Sequence, residues 1–198
     1  MTAPTSRLIF MIAAFAAGLV LCLSVVLLVA QRGSVPVPQA AAVGGAFKLV
    51  DQDGRSVTEQ DFKGRPFLVF FGFTHCPDIC PTMLFDISEV FRRLGPDAGR
   101  AGALFITVDP ERDTPEAIKT YLSSFDPHLR GLTGDEAAID GVIKTYRAYS
   151  RKVPTPDGGY TMDHTALVYL MDKEGRFVAP FNLKRRPEDS AADLRRYF

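Results

Sequence analysis

The chain has 198 residues, with 23 basic and 23 acidic side chains, so its formal net charge is zero. No excess of positive charge is available to hold a phosphate backbone, and no nucleic acid is expected as a partner. Three cysteines in all are too few for a scaffold held by several disulfides.

The first 45 residues differ from the rest. Residues 1–7 read as a short N-terminal segment. From Leu8 to Ala30 no residue is charged, and most are Leu, Val, Ile, Ala or Phe. As a helix, residues 8–30 would be about 34 Å long, enough to cross a bilayer. Arg7 precedes the run and Arg32 follows it, which leaves the orientation signal weak. A secretory signal peptide competes with this reading, because Ala40 to Ala42 resembles a cleavage site. The run is longer than an ordinary signal h-region, so an uncleaved transmembrane anchor is expected. Cys22, inside the run, follows Leu21 and not the small residue that a lipoprotein signal wants. It reads as a small apolar side chain. Residues 31–45 read as a linker, and 46–198 as one domain.

Within that domain, Phe47–Val50 and Arg55–Val57 flank the turn Asp51 to Gly54 and suggest a hairpin. Thr58 to Gly64 reads as a brief helical turn closed by glycine. Pro66–Phe73 is apolar without alternation, as in a strand buried on both faces. It leads into Gly72-Phe-Thr-His-Cys-Pro-Asp-Ile-Cys-Pro81. A helix is expected from about Pro81 to Leu94, with Met83, Ile87, Val90, Phe91 and Leu94 as its apolar stripe. Ala103–Val108 is a second buried strand, ending in Asp109-Pro-Glu-Arg-Asp-Thr-Pro115. Thr114 to Glu116 starts a helix that runs to about Ser124. Then come a strand at Leu129–Thr133, a helix from Asp135 to about Ala148, an extended stretch Tyr149–Val153 and a loop Pro154–Gly159. Ala166–Met171 is a strand, turned by Asp172–Gly175 into an antiparallel partner at Arg176–Phe181. A last helix starts near Pro187, and Arg195 and Arg196 read as its solvated face. This order gives an α/β sheet with helices on both faces. With two thiols at the end of its first core strand, it resembles the thioredoxin fold, with an N-terminal β-hairpin extension and an inserted helix and strand.

Cys76 and Cys80 are four residues apart, which on a helical turn places both on one face. Two sulfurs so placed can share a soft metal ion or close a disulfide after a small rearrangement. The helix N-terminus is expected to favour thiolate at both. His164 is the candidate third ligand. It lies in Met162-Asp-His-Thr165, before the strand whose entry, in a thioredoxin-like sheet, packs beside the dithiol. Thioredoxin-like oxidoreductases usually carry a cis-proline there, and no proline lies between Tyr160 and Thr165. Two thiolates and an imidazole suit copper, as Cu(I) or Cu(II). A structural zinc site wants a fourth ligand, and none is evident. Read singly, a histidine at a strand start is more often a hydrogen-bonded structural residue; the dithiol and the fold position favour ligation here. His75 reads as an exposed turn residue and His128 as a surface loop residue. Asp78, Asp109 and Asp163 are candidates to sit behind the ligands, although plain capping or solvation is the stronger explanation for each.

Three segments resemble the Sco/SenC family of copper-binding proteins: Gly72 to Pro81, Thr107-Val-Asp-Pro-Glu-Arg-Asp-Thr-Pro115, and Asp163-His-Thr-Ala-Leu-Val-Tyr-Leu170. The likeness runs from about Gly44 to the end. It implies that Cys76, Cys80 and His164 bind copper. It implies a single-pass protein of a bacterial inner membrane, with the short N-terminus, residues 1–7, cytoplasmic and the soluble domain in the periplasm. Such a protein helps to build the dinuclear copper (CuA) centre of cytochrome c oxidase, and the oxidase subunit carrying that centre would be its partner. Mitochondrial relatives carry a transit peptide, and with seven residues ahead of the apolar run in this sequence a bacterial setting is expected.

Three activities follow. The first is a copper metallochaperone without turnover, which needs a copper donor and a dithiol reductant, because only reduced thiolates load metal. The second is a thiol-disulfide oxidoreductase, acting on the cysteines of the oxidase copper site or of another extracytoplasmic partner. Cys76 would attack and Cys80 resolve. Its weakness is the three-residue gap between the cysteines and the missing cis-proline. The third is a peroxide reductase of the peroxiredoxin type, for which Thr74 stands one residue too close to Cys76.

Overall fold

The apolar run ahead of the dithiol becomes an inner strand of a seven-stranded sheet, two strands from one edge. In this computed structural model, which describes residues 4–31 and 43–198, the chain divides into two compact units, Met1–Ala41 and Ala42–Phe198.

The first unit holds helix α1, Pro4–Gln31, 28 residues long. Its side chains are described at 9 and 11–27, and among the described residues no helix is long and apolar enough to cross a membrane. The fold therefore does not show the anchor expected over 8–30. The linker expected over 31–45 and the cleavage-like Ala40 to Ala42 fall largely or wholly outside the described residues, as do residues 1–3 of the N-terminus.

In the second unit the strands are β1 Lys48–Asp51, β2 Ser56–Thr58, β3 Phe67–Gly72, β4 Gly102–Thr107, β5 Leu129–Thr133, β6 Ser150–Pro154, β7 Tyr160–His164, β8 Val168–Met171 and β9 Phe177–Pro180. The helices are α2 Ile79–Leu94, α3 Pro115–Leu122, α4 Glu136–Thr145 and α5 Pro187–Arg195. The main sheet runs β2-β1-β5-β4-β3-β8-β9. β3, β4 and β5 are parallel, and β1, β8 and β9 pair antiparallel to their neighbours. Every residue of β3 and β4 is buried, as their unbroken apolar runs require of strands covered on both faces.

Helices cover both faces. Phe70 pairs with Phe105 and Phe105 with Gly131, so these positions share a face. There Tyr121 of α3 meets Phe105 at 5.8 Å, and α3 comes so close that a Cβ on Gly131 would stand 2.0 Å from the Ile118 side chain. Phe71 points the other way, to Tyr146 at the end of α4 and to Tyr169 of β8. α5 packs on α2. This is the α/β thioredoxin-like architecture, with the expected hairpin β1–β2 at one edge.

Three expectations need correction. α2 begins at Ile79, two residues before Pro81, because a proline in the first turn occupies a position whose N–H has no helical partner anyway. Tyr160–His164, between the expected loop and the expected strand, is itself a strand; it pairs with β6 in a separate two-stranded sheet. Arg195 is not merely solvated, since its guanidinium donates to the carbonyls of Arg93 and Leu94 and closes the C-terminus of α2.

Candidate metal centre

β3 ends at Gly72, a short turn follows, and α2 starts at Ile79. The Asp78 side chain makes no cap on this helix. A sulfur does so: the Cys80 N–H donates to Cys76 Sγ at 3.3 Å. Cys76 thus stands in the turn, at the positive end of α2, while Cys80 lies inside the first turn. Cys80 is fully buried against β3. Gly72 makes room for it, since a Cβ there would be 3.0 Å from Cys80 Sγ and 2.8 Å from the Phe105 ring.

His164 ends β7, opposite Ser150 of β6. Its Nε2 lies 3.6 Å from Cys80 Sγ. Its Nδ1 lies 3.2 Å from the Thr165 carbonyl, which can only accept, so the proton belongs on Nδ1 and the Nε2 lone pair faces the sulfurs. Phe70 and Phe73 meet the imidazole edge-on at 6.2 and 5.7 Å. Burial lowers the pKa of His164, outweighing the Thr165 bond and the Asp163 charge, and so favours the neutral form that binds metals.

The ligand atoms of Cys76, Cys80 and His164 all lie within 4.8 Å of one another. Three ligands at about 2.0–2.3 Å from one ion in a plane stand about 4 Å apart, so only a small contraction is needed to share it. Both thiols are free. The expectation that the helix end favours thiolate at both fails for Cys80. Burial, reinforced by the contact with Cys76, pushes its thiol well above the usual range. The desolvation of a sulfur with no exposed surface outweighs a helix end that acts chiefly on the turn outside it.

The three acids fare differently. Asp78 is exposed, and its carbonyl accepts from the Thr82 hydroxyl at 2.9 Å. Asp163 is exposed and reaches Arg151 at 3.7 Å. Both line the open depression beside Cys76 and His164. Asp109 is buried, and its carboxylate takes hydrogen bonds not from the three ligands but from Arg112 and, at 2.9 Å, from the Tyr160 hydroxyl. His75 is exposed and bonds Thr74. His128 stacks on Phe91 at 5.3 Å and bonds Asp126, apart from the cluster.

Sequence reasoning missed Asp113, Thr74, Arg112 and Tyr160. The buried Asp113 accepts from the Thr74 N–H at 3.0 Å, the Thr74 hydroxyl at 2.6 Å and the Thr107 hydroxyl at 2.6 Å. Thr74 is therefore turned to Asp113, as part of the turn's anchorage. The one available signal was the density of charge in the loop after β4, which a buried strand end does not need for solubility.

Fold and site together define a thioredoxin-like protein whose dithiol and imidazole converge in a cluster that could hold a metal ion. The family model described as SCO1/SenC matches residues 35–198, and the chain belongs to the SCO1/SenC family. It is 66% identical to Bradyrhizobium japonicum ScoI, solved with copper bound, over 79% of this chain and 100% of that one, with a TM-score of 0.77. It is 42% identical to the mitochondrial SCO1 homolog of Mus musculus over 77% of this chain and 55% of that protein. It is 39% identical to an SCO2-like protein of Rickettsia felis over 74% of this chain and 73% of that protein. The matched region spans about half the length of the mitochondrial relatives.

Proposed function

We propose that the chain is a copper metallochaperone that holds one copper ion through Cys76, Cys80 and His164 and delivers it to the CuA centre of cytochrome c oxidase. The observation that carries the reading is the convergence of two thiols and an imidazole Nε2 within 4.8 Å, on a fold shared with a copper-bound relative at 66% identity. Soft sulfur donors with one nitrogen suit Cu(I) and accept Cu(II). Cys76, half-buried beside an open depression, is the ligand a recipient thiol reaches first, and Cys80 is the buried one. Transfer is then ligand exchange, with the protein's thiols kept reduced by a separate dithiol donor.

The same reading takes α1 as an inner-membrane anchor that holds the domain in the periplasm. Its support is a 28-residue helix whose sequence is uncharged from Leu8 to Ala30, with Met11, Phe15, Leu19 and Leu23 exposed. The Ser24 hydroxyl is turned onto the Val20 carbonyl at 2.7 Å, as a polar side chain in lipid requires.

The test is anaerobic Cu(I) titration of the reduced full chain in detergent against a competing chelator, with Cu(II) added separately and sulfur-to-copper charge-transfer bands recorded. One copper per chain, weakened in His164→Ala, is the expected result. No specific binding, with a dithiol that readily reduces a test disulfide, would replace this reading with a thiol-disulfide oxidoreductase.

A further inference from the structure

The strands of the hairpin that carries His164 pair only with each other: β6 and β7 form their own two-stranded sheet, apart from the seven-stranded one that carries the dithiol. An isolated hairpin is marginal in water, so something else must set the distance from imidazole to sulfur. At the His164 end, Thr165 and Tyr149 exchange bonds of 3.0 and 2.9 Å, but these too lie within the hairpin and its flanks.

The opposite end of β7 is held differently. The Arg112 guanidinium donates through Nε to Asp109 and through Nη1 to the Tyr160 carbonyl at 3.1 Å. It lies over the Tyr160 ring at 3.9 Å and approaches the Phe73 ring at 5.8 Å. The Tyr160 hydroxyl closes the ring by donating to Asp109 at 2.9 Å. Lys152 of β6 pairs with Glu111 at 2.6 Å beside it. The loop that makes this latch, between β4 and α3, also carries Asp113, which holds the dithiol turn through Thr74. One short loop therefore grips both the segment bearing the sulfurs and the strand bearing the histidine.

We propose that Arg112 is the positioning residue for His164, fixing the imidazole against the dithiol through Asp109 and Tyr160; this rests on the copper reading above. Arg112 makes its hydrogen bonds and ring contacts with Asp109, Tyr160 and Phe73, and not with the three ligands. A planar guanidinium suits the task because one group makes two directed bonds and stacks on a ring. Its Nη2 is buried without a hydrogen-bond partner, a cost that a group retained only for surface charge would avoid.

The test uses the full chain in detergent, with Arg112→Met, Arg112→Lys and Tyr160→Phe made in the wild-type and His164→Ala backgrounds. Copper affinity is read by chelator competition, and the nitrogen coupling of bound Cu(II) by electron paramagnetic resonance. Arg112→Met is expected to weaken copper about tenfold and to diminish the nitrogen coupling. Arg112→Lys, which keeps the charge and loses the fork, is expected to restore only part. Tyr160→Phe moves both readouts in the same direction by less. In the His164→Ala background the substitutions are expected to change nothing further, because the group they position is gone. Should Arg112→Met not fold, Tyr160→Phe carries the same comparison. Wild-type affinity and nitrogen coupling in both Arg112→Met and Tyr160→Phe would overturn the proposal, as would an equal loss in the His164→Ala background. A wild-type chain that takes up no copper overturns the copper reading itself, and the proposal with it.

Discussion

The Thr74 hydroxyl donates to the buried Asp113 carboxylate at 2.6 Å, joining the dithiol turn to the loop after β4. Thr107 and the Thr74 N–H donate to the same group, so three donors depend on it. Asp113→Ala would strand them in a dry site, and a destabilisation of about 2–4 kcal/mol is expected. Urea denaturation of the reduced chain measures it. A loss below about 0.5 kcal/mol would mean that water replaces the carboxylate freely.

Asp113 also carries a pH signature. Burial raises its pKa, against the three bonds that lower it. For an acid raised in the folded state, the folded chain binds the extra proton. The stabilising contribution is therefore full below the ordinary carboxylate pKa near 4 and is lost as pH rises through the raised folded value. The stability of wild type relative to Asp113→Asn is expected to fall as pH climbs from about 4 toward neutrality. Chemical denaturation of both proteins across that range gives the difference directly, free of other carboxylates. A flat difference would show that the carboxyl titrates alike in both states.

Gly72 should tolerate no side chain. A Cβ there meets Phe105 at 2.8 Å and Cys80 Sγ at 3.0 Å, and both partners are locked in the core. Gly72→Ala is expected to cost about 1–3 kcal/mol as an overpacked site. It should also weaken copper, because the sulfur must shift. Denaturation and copper competition on the same preparation separate the two effects. Unchanged values for both would show that the strand relaxes more readily than the packing implies.

The central part of this site was legible because its signals are local. An unbroken apolar run, a turn with two cysteines and a helical stripe fix β3, the dithiol and α2 within two residues. His164 was found through fold resemblance, by asking what enters the strand beside the dithiol. The strand it ends was missed, because Tyr160–His164 is half-exposed, mixes polar with apolar residues and follows the glycines of the Pro154–Gly159 loop. Nothing in its own pattern marks it as paired. Arg112 and Arg195 were missed for the same reason. A charged side chain reveals its partner only when the chain brings distant carbonyls to it, 48 residues away for Tyr160 and 101 for Leu94.

Arg195 makes a prediction that separates fold from site. Its bonds to Arg93 and Leu94 and its pairing with Asp97 at 3.4 Å tie α5 to the end of α2 that lies away from the dithiol. Arg195→Met keeps the apolar stem and removes the donors. A loss of about 1 kcal/mol is expected from the lost cap, the ion pair being half-exposed and weak. Copper affinity should stay at the wild-type value. A matched fall in affinity would show that the far end of α2 communicates with its N-terminus.

The two thiols should differ sharply toward an alkylating reagent. Attack requires a thiolate that solvent can reach. Cys76 is half-buried at the mouth of an open depression, whereas Cys80 has no exposed surface and a thiol held protonated by burial. In the reduced, metal-free chain, iodoacetamide is expected to label Cys76 at least about tenfold faster than Cys80, with Cys80 reacting only through opening of the fold. Peptide mapping by mass spectrometry assigns each label and keeps Cys22 apart. Equal rates at Cys76 and Cys80 would mean that the start of α2 opens readily, and metal transfer could then proceed from either sulfur. A strong preference for Cys76, abolished by copper, would identify it as the sulfur that a recipient protein meets first.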